Sequence, residues 1–86
     1  MKVDPRVHGR HPELSDGDVR YAWEHFDVAA TRVPGEREMR VGYDRRGRRI
    51  EMVGVLTTDG WLVYHAMTPP SKKTEREIER ASRRMV

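Results

Sequence analysis

The chain has 86 residues and a mass of 10.1 kDa, which is enough for a single domain, 1–86, but not for separate cofactor and substrate domains. It contains no cysteine, which excludes disulfides, thiolate metal sites and cysteine nucleophiles. The sequence shows neither a signal-peptide pattern nor a membrane-length apolar stretch, so we expect a cytoplasmic protein that makes no membrane contact.

The net charge of +3 comes from the C-terminal end of the chain. Residues 1–70 hold 11 cationic and 11 anionic side chains, whereas residues 71–86 hold six and three. A second basic zone, residues 37–49, contains six arginines and two acidic residues. Arginine binds phosphates and carboxylates in a fork, although GC-rich codon usage would also enrich it. The two zones favour a polyanionic or acidic partner.

The first element predicted in chain order is a helix over residues 16–29. Ser15 is a favourable N-cap, and Asp18 three residues later completes a capping box. A buried face is predicted by apolar residues at spacings of three and four, which are Val19, Ala22, Trp23 and Phe26. The dipeptide Pro34-Gly35 then predicts a linker over residues 31–35.

Three strand-like runs follow, at residues 37–43, 49–57 and 61–67. In the first run, alternation predicts that Arg40 points outward and that a buried face is formed by Met39, Val41 and Tyr43. Residues 49–57 are apolar on both faces, which is typical of a central strand. The short segments 44–47 and 58–60 end in glycine and predict tight turns between antiparallel neighbours.

A basic C-terminal helix is predicted over residues 71–86, with Ser71 or Thr74 as its N-cap. The predicted fold class is therefore α+β. It consists of an N-terminal helix, an antiparallel meander of three or more strands and a C-terminal helix.

Among the four histidines, His65 is the candidate acid–base group because it lies in the most apolar strand. A polar core histidine bonded to the backbone is the alternative interpretation. Glu51 could act as its base or orienting partner, although we expect this carboxylate to face solvent. We interpret His8 and His11 as ordinary polar residues rather than a metal pair, and His25 as a partner of the helix C-terminus.

Several classes of enzyme site find no support in the sequence. The chain has no glycine-rich phosphate loop, no nucleophile elbow and no zinc or calcium spacing, so we expect neither a cofactor nor a metal. Cleavage of RNA through its own 2′-hydroxyl fits the residues that remain, because the substrate carries its nucleophile. The protein then supplies only acid–base chemistry and charge stabilisation.

Several segments resemble the small BrnT-like toxins of the RelE/ParE superfamily, and more specifically an actinobacterial branch whose last strand ends in His-Ala-Met. The resemblance spans residues 8–80. The matching segments are the helix start with Leu14, Ser15 and Val19, the strands from Val41 to Val53, and the strand end from Val63 to Met67. The family's last strand often ends in Ser-Ala-Arg, with that arginine implicated at the site, where this chain has His65-Ala66-Met67. Arg10-His11-Pro12 takes the place of the family's Lys-His-Gly.

The resemblance implies a RelE/ParE-like fold and the toxin role in a type II toxin–antitoxin system. Such toxins are typically ribonucleases that act on free RNA or on the ribosome, and a cognate antitoxin protein silences them. By position, the implied catalytic residues are His65, Arg40, Arg49 and His11. The resemblance also implies Lys72 or Lys73 just after the last strand. With these two lysines, the candidate RNA-binding residues are Arg45, Arg46 and Arg48 of the basic zone over residues 37–49.

Two alternative functions stay open at this point. The sheet could serve a protein-binding module without catalysis, or the toxin could act on gyrase rather than RNA. The predicted site requires Arg40, Arg49 and His65 to share one face of the sheet, which the sequence does not show. A structure that places them on opposite sides would contradict this version of the site.

Overall fold

In the described part of the chain, three helices and five strands form an α+β fold, which confirms the predicted class. The structure is a computed structural model that describes the backbone of residues 1–84 and the side chains of residues 1–80. The helices are α1 (Arg6–Arg10), α2 (Asp16–Glu24) and α3 (Lys72–Arg84). The strands are β1 (Lys2–Val3), β2 (Val28–Val33), β3 (Arg37–Tyr43), β4 (Arg49–Thr57) and β5 (Gly60–Met67).

The strands form one sheet in the order β1-β5-β4-β3-β2. The strands β2 to β5 make an antiparallel meander, as predicted, and β4 lies at its centre. The short β1 pairs in parallel with β5, so the sheet is mixed rather than wholly antiparallel. The strand β1 is not predicted from the sequence, because a strand of two residues is too short to show an alternating pattern.

The turn between β3 and β4 is built around the buried carboxylate of Asp44. Its Oδ1 accepts hydrogen bonds from the backbone N–H groups of Arg46 and Arg48, each at 2.9 Å. Gly47 has a φ of 80°, a left-handed conformation that favours glycine. The predicted turn is therefore confirmed, and it fixes the register of the two strands it joins.

The predicted linker over residues 31–35 is wrong in part, since β2 extends through Val33. The preceding helix is also shorter than the predicted 16–29, because α2 ends at Glu24. Asp27 N–H already donates to Val41 O at 3.0 Å, so backbone pairing with β3 replaces further helical turns. Phe26 consequently falls outside the helix and is 40% exposed instead of buried.

One face of the sheet packs against α1 and α2. The predicted capping box of α2 is present, with Ser15 and Asp18 bonding reciprocally. The core between the layers includes Val19, Ala22 and Trp23 of α2 and Ile50, Met52, Val63 and Ala66 of the sheet. The glycine at 54 permits the close approach, because a Cβ atom there would lie 2.7 Å from the Trp23 ring.

The opposite face of the sheet is crossed by α3. Ser71 caps this helix by accepting a hydrogen bond from Thr74 N–H at 3.2 Å, which agrees with one of the two predicted caps. At the start of α3 the Ser71 N–H binds Glu51 on β4, and six residues later Glu77 binds Arg32 on β2. Because β3 lies between those strands, the helix passes over it. Residues 85–86 of the predicted last helix lie outside the described residues.

Candidate functional site

His65 and Glu51 form a hydrogen-bonded pair on the α3 side of the sheet. His65 Nε2 lies 2.9 Å from Glu51 Oε2. The register explains the contact, because Glu51 pairs with Met67 while Val53 pairs with His65, which makes the two side chains diagonal neighbours on one face. The sequence could suggest this pair but not the distance, which depends on the alignment of β4 with β5.

Glu51 is buried, with 6% of its surface exposed, and the expectation that it faces solvent is therefore wrong. Its Oε1 accepts the Ser71 N–H at 2.6 Å, so the first residues of the α3 segment cover the carboxylate. Burial works to raise the pKa of this carboxyl. Hydrogen bonds from the Ser71 N–H, His65 and the hydroxyls of Ser71 and Thr74 outweigh burial and hold the pKa below its ordinary value. Glu51 therefore remains ionised beneath the helix.

The ionised carboxylate fixes the tautomer of His65. A carboxylate only accepts hydrogen bonds, so Nε2 carries the proton and donates to Glu51. In the neutral ring Nδ1 is then the unprotonated nitrogen, and it makes no hydrogen bond to the part of the chain that the structure describes. The side chain of His65 is 33% exposed. The pair thus offers a proton acceptor with an ionised partner behind it, an arrangement suited to general base catalysis.

Cationic residues occur on the same side of the sheet as this pair. Lys72 and Lys73 are exposed and follow directly after Ser71, whose backbone N–H binds Glu51. Arg49 lies two residues before Glu51 on β4 and therefore on the same face. Four of the predicted site residues are thus on one side of the sheet, namely His65, Arg49, Lys72 and Lys73.

Arg40 is on the other side of the sheet from His65 and Arg49, so the predicted site that combines these three residues is wrong. It pairs with Met52 of the core that faces α2. Its guanidinium carbon lies 4.1 Å from the centre of the Trp23 ring and 4.3 Å from that of Phe26. The outward position predicted by alternation is wrong because α2 covers that face. The contacts of Arg40 are those of a packing residue.

His11 is also distant from the His65 face in the fold. It is the residue after α1, and α1 belongs to the layer on the α2 side, with Val7 in that core. Its Nδ1 lies 3.4 Å from Glu13. The structure therefore separates His11 from His65 by the thickness of the sheet.

The predicted RNA-binding arginines of the β3–β4 turn are largely engaged with acidic residues. Arg48 donates to Asp44 at 2.8 Å and to Asp18 at 3.1 Å, and Arg46 lies 3.3 Å from Asp18. These bonds fasten the turn to the start of α2. Arg45 instead lies over the ring of Tyr21, 5.1 Å from its centre. A count of charges along residues 37–49 does not show this neutralisation in full, because Asp18 comes from a distant position in the sequence.

Arg32 is a residue that the sequence analysis missed. It forms a two-point ion pair with Glu77, with distances of 2.6 and 3.0 Å, and so ties α3 to β2. This bond raises the pKa of Arg32 and lowers that of Glu77, in both cases chiefly through the hydrogen bonds between them. The Arg32 charge also interacts with Glu51 and Tyr64. Arg32 lies within residues 31–35, which are predicted as a linker, so no contact with the last helix is expected for it from the sequence.

The described residues contain neither a metal site nor a membrane-spanning helix. Among residues 1–84 no group of three or more histidine, aspartate or glutamate side chains could hold a metal ion. No helix in this range is long and apolar enough to span a bilayer. An open cleft of about 380 Å³ lies on the outer surface of α2, and its lining includes Arg20, Tyr21, His25 and Arg45.

Comparisons with protein-family models, with curated proteins and with solved structures each found no match to this chain.

Proposed function

We propose that this chain is the toxin of a type II toxin–antitoxin system and that it cleaves RNA without a metal ion. The observation that carries the proposal is the His65–Glu51 pair, in which a partly exposed imidazole is held by a buried, ionised carboxylate. A substrate with its own nucleophile is the one such a pair serves best, because the pair supplies proton transfer and nothing else.

In the proposed reaction, His65 Nδ1 accepts the proton of a ribose 2′-hydroxyl. The 2′-oxygen attacks the adjacent phosphorus, and the bond from phosphorus to the 5′-oxygen breaks. The imidazolium then gives the proton taken from the 2′-hydroxyl to the 5′-oxygen. The products are a 2′,3′-cyclic phosphate and a 5′-hydroxyl end. Glu51 is a positioning residue in this scheme, since it is buried and stabilises the imidazolium without touching the substrate.

The charge that develops on the phosphate needs cationic partners. Lys72 and Lys73 are exposed candidates, because they begin the helix whose preceding residue, Ser71, binds Glu51. Arg49 shares this face and is 26% exposed, although Asp27 already binds it. Arg40 has no part in the proposed site, since it packs against α2.

The order of the elements supports the RelE/ParE-like arrangement that the resemblance implies. The N-terminal helices precede the meander, and a basic helix follows it. We propose that the chain shares this arrangement, that a cognate antitoxin protein binds it and that the protein acts in the cytoplasm. Met67 replaces an arginine that the family often carries at this strand end, so we expect slow catalysis.

Incubation of a mixed RNA substrate with the purified protein in EDTA tests the proposal. We expect cleavage that survives EDTA, disappears in His65→Ala and yields 2′,3′-cyclic phosphate ends. His25→Ala is the matched control, because His25 lies at the exposed end of α2 on the opposite side of the sheet. Cleavage that persists in His65→Ala, or that requires a metal ion, would contradict the proposal.

A binding module without catalysis is a second candidate, and the open edge of β2 favours it. This strand pairs with β3 on one side, and within residues 1–84 no strand pairs with its outer edge. Open edges of this kind can add a strand from another chain. The absence of any RNA cleavage, combined with a stable complex formed with a partner protein, would favour this function.

A further inference from the structure

Tyr43 is an aromatic side chain that the fold leaves in solvent. Alternation along β3 predicts that it is buried with Met39 and Val41, and those two residues are buried. Tyr43 is instead 49% exposed and is absent from the hydrophobic core, so the prediction is wrong at this position. The difference arises because α3 begins above Glu51 and crosses toward β2, leaving the end of β3 uncovered.

Arg49 holds the ring of Tyr43 in place. The two residues are direct cross-strand partners, and the Arg49 guanidinium carbon lies 4.6 Å from the centre of the ring. Arg49 is itself fixed, because its Nη1 lies 3.1 Å from each carboxylate oxygen of Asp27. The ring is thus held by a positioned cation while half of its surface stays available to a ligand.

This aromatic ring lies on the same face as the proposed reaction site. Tyr43 and Arg49 form the row of the sheet next to Glu51, about 7 Å away along the strand. Glu51 binds His65 directly. An RNA strand bound at His65 can therefore also reach an exposed aromatic ring on the same side of the sheet.

The surrounding charge is cationic but mostly neutralised. Arg46 and Arg48 of the adjoining β3–β4 turn bind Asp18 and Asp44. Arg49 binds Asp27. Ligand binding at this end of the sheet must therefore depend more on aromatic stacking than on unpaired positive charge. Aromatic rings beside arginines are the usual stacking sites for the bases of single-stranded nucleic acids.

We infer that Tyr43 is a base-stacking residue for RNA and that it restricts the protein to single-stranded substrates. The inference rests on the proposed ribonuclease function and adds the substrate class. Bases in a duplex are stacked on one another and leave no open face for an aromatic ring, whereas an unpaired base lies flat against Tyr43.

Fluorescence anisotropy with a short labelled 2′-O-methyl RNA tests the inference, because this probe has no free 2′-hydroxyl and is not cleaved. We expect Tyr43→Thr to weaken binding of the single strand about tenfold, and Tyr43→Phe to retain it. Leu56→Thr is the matched control, since Leu56 is equally exposed, at 45%, near the far end of β4. Thermal melts of all three variants identify any loss of folding.

The outcomes separate this inference from the ribonuclease proposal. Unchanged binding in folded Tyr43→Thr would overturn the inference, and so would equal affinity for the duplex form of the probe, even if the protein cleaves RNA. If Tyr43→Thr loses binding while the wild-type protein cleaves no RNA, the stacking site stands and the ribonuclease proposal fails.

Discussion

Glu51 binds both His65 and Ser71, the residue before α3. One buried carboxylate therefore belongs to the candidate site and also anchors the start of the last helix. The two contacts use different oxygens, with Oε2 toward the imidazole and Oε1 toward the Ser71 N–H. A change at Glu51 is therefore expected to affect stability and chemistry together.

Replacement of Glu51 by glutamine should destabilise the protein by about 1–3 kcal/mol, because buried hydrogen bonds to a charge are lost. The effect depends on pH. The pKa of Glu51 in the folded protein is below its ordinary 4.5, so its contribution is present above that pH and is lost as the pH falls through the folded value. Urea unfolding of wild type and Glu51→Gln should show a difference that shrinks in acid. Glu24→Gln, at an exposed position, is the control. A pH-independent difference would contradict this account.

His8 should titrate above its ordinary pKa of 6.5. Its Nδ1 contacts the carbonyl oxygen of Leu14, and its Nε2 contacts the carboxylate of Asp16. Both partners are acceptors, so only the imidazolium can donate to both. The hydrogen bond to Leu14 first, and then the bond to Asp16, raise the pKa of His8.

The stabilisation by His8 should therefore be complete below pH 6.5 and should be lost as the pH rises through the folded value. An NMR titration of the imidazole measures the shift directly. In Asp16→Asn we expect the pKa of His8 to fall toward its ordinary value. A wild-type pKa at or below 6.5 would show that these hydrogen bonds do not hold the charged form in solution.

Gly54→Ala should destabilise the protein by about 1–3 kcal/mol, because the added methyl group would lie 2.7 Å from the Trp23 ring. Gly9→Ala is the matched control, since a Cβ atom there meets nothing within 4 Å and the position is helical. The control should be neutral or slightly stabilising. Thermal melts of both variants provide the comparison, and equal melting temperatures would contradict the close packing of α2 on β4.

Arg40→Ala should lower stability without changing the reaction. Loss of the contacts with Trp23 and Phe26, and of the hydrogen bond to Trp23 O at 3.1 Å, should cost about 1–2 kcal/mol. Any RNA cleavage per folded molecule should equal that of the wild type. A large drop in cleavage by a fully folded Arg40→Ala protein would restore the catalytic role that the resemblance to BrnT-like toxins implies.

The local elements were predictable from the residues because their signals are short in range. The cap of α2 by Ser15 and Asp18, the turn around Gly47 and the central place of β4 each depend on residues close together in sequence. The strand β2 was missed because its six residues alternate weakly and owe their conformation to pairing with β3.

The candidate site depends on relationships that only the tertiary structure decides. Alternation along a strand tells which residues share a face, but not which helix covers that face. It correctly places Arg40 on the opposite face from Met39 and Val41. However, α2 covers the face of Arg40, whereas α3 leaves Tyr43 exposed on the other face. The contact of Glu51 with His65 likewise required the register of two strands and the place where α3 begins, which are set by packing across the whole sheet.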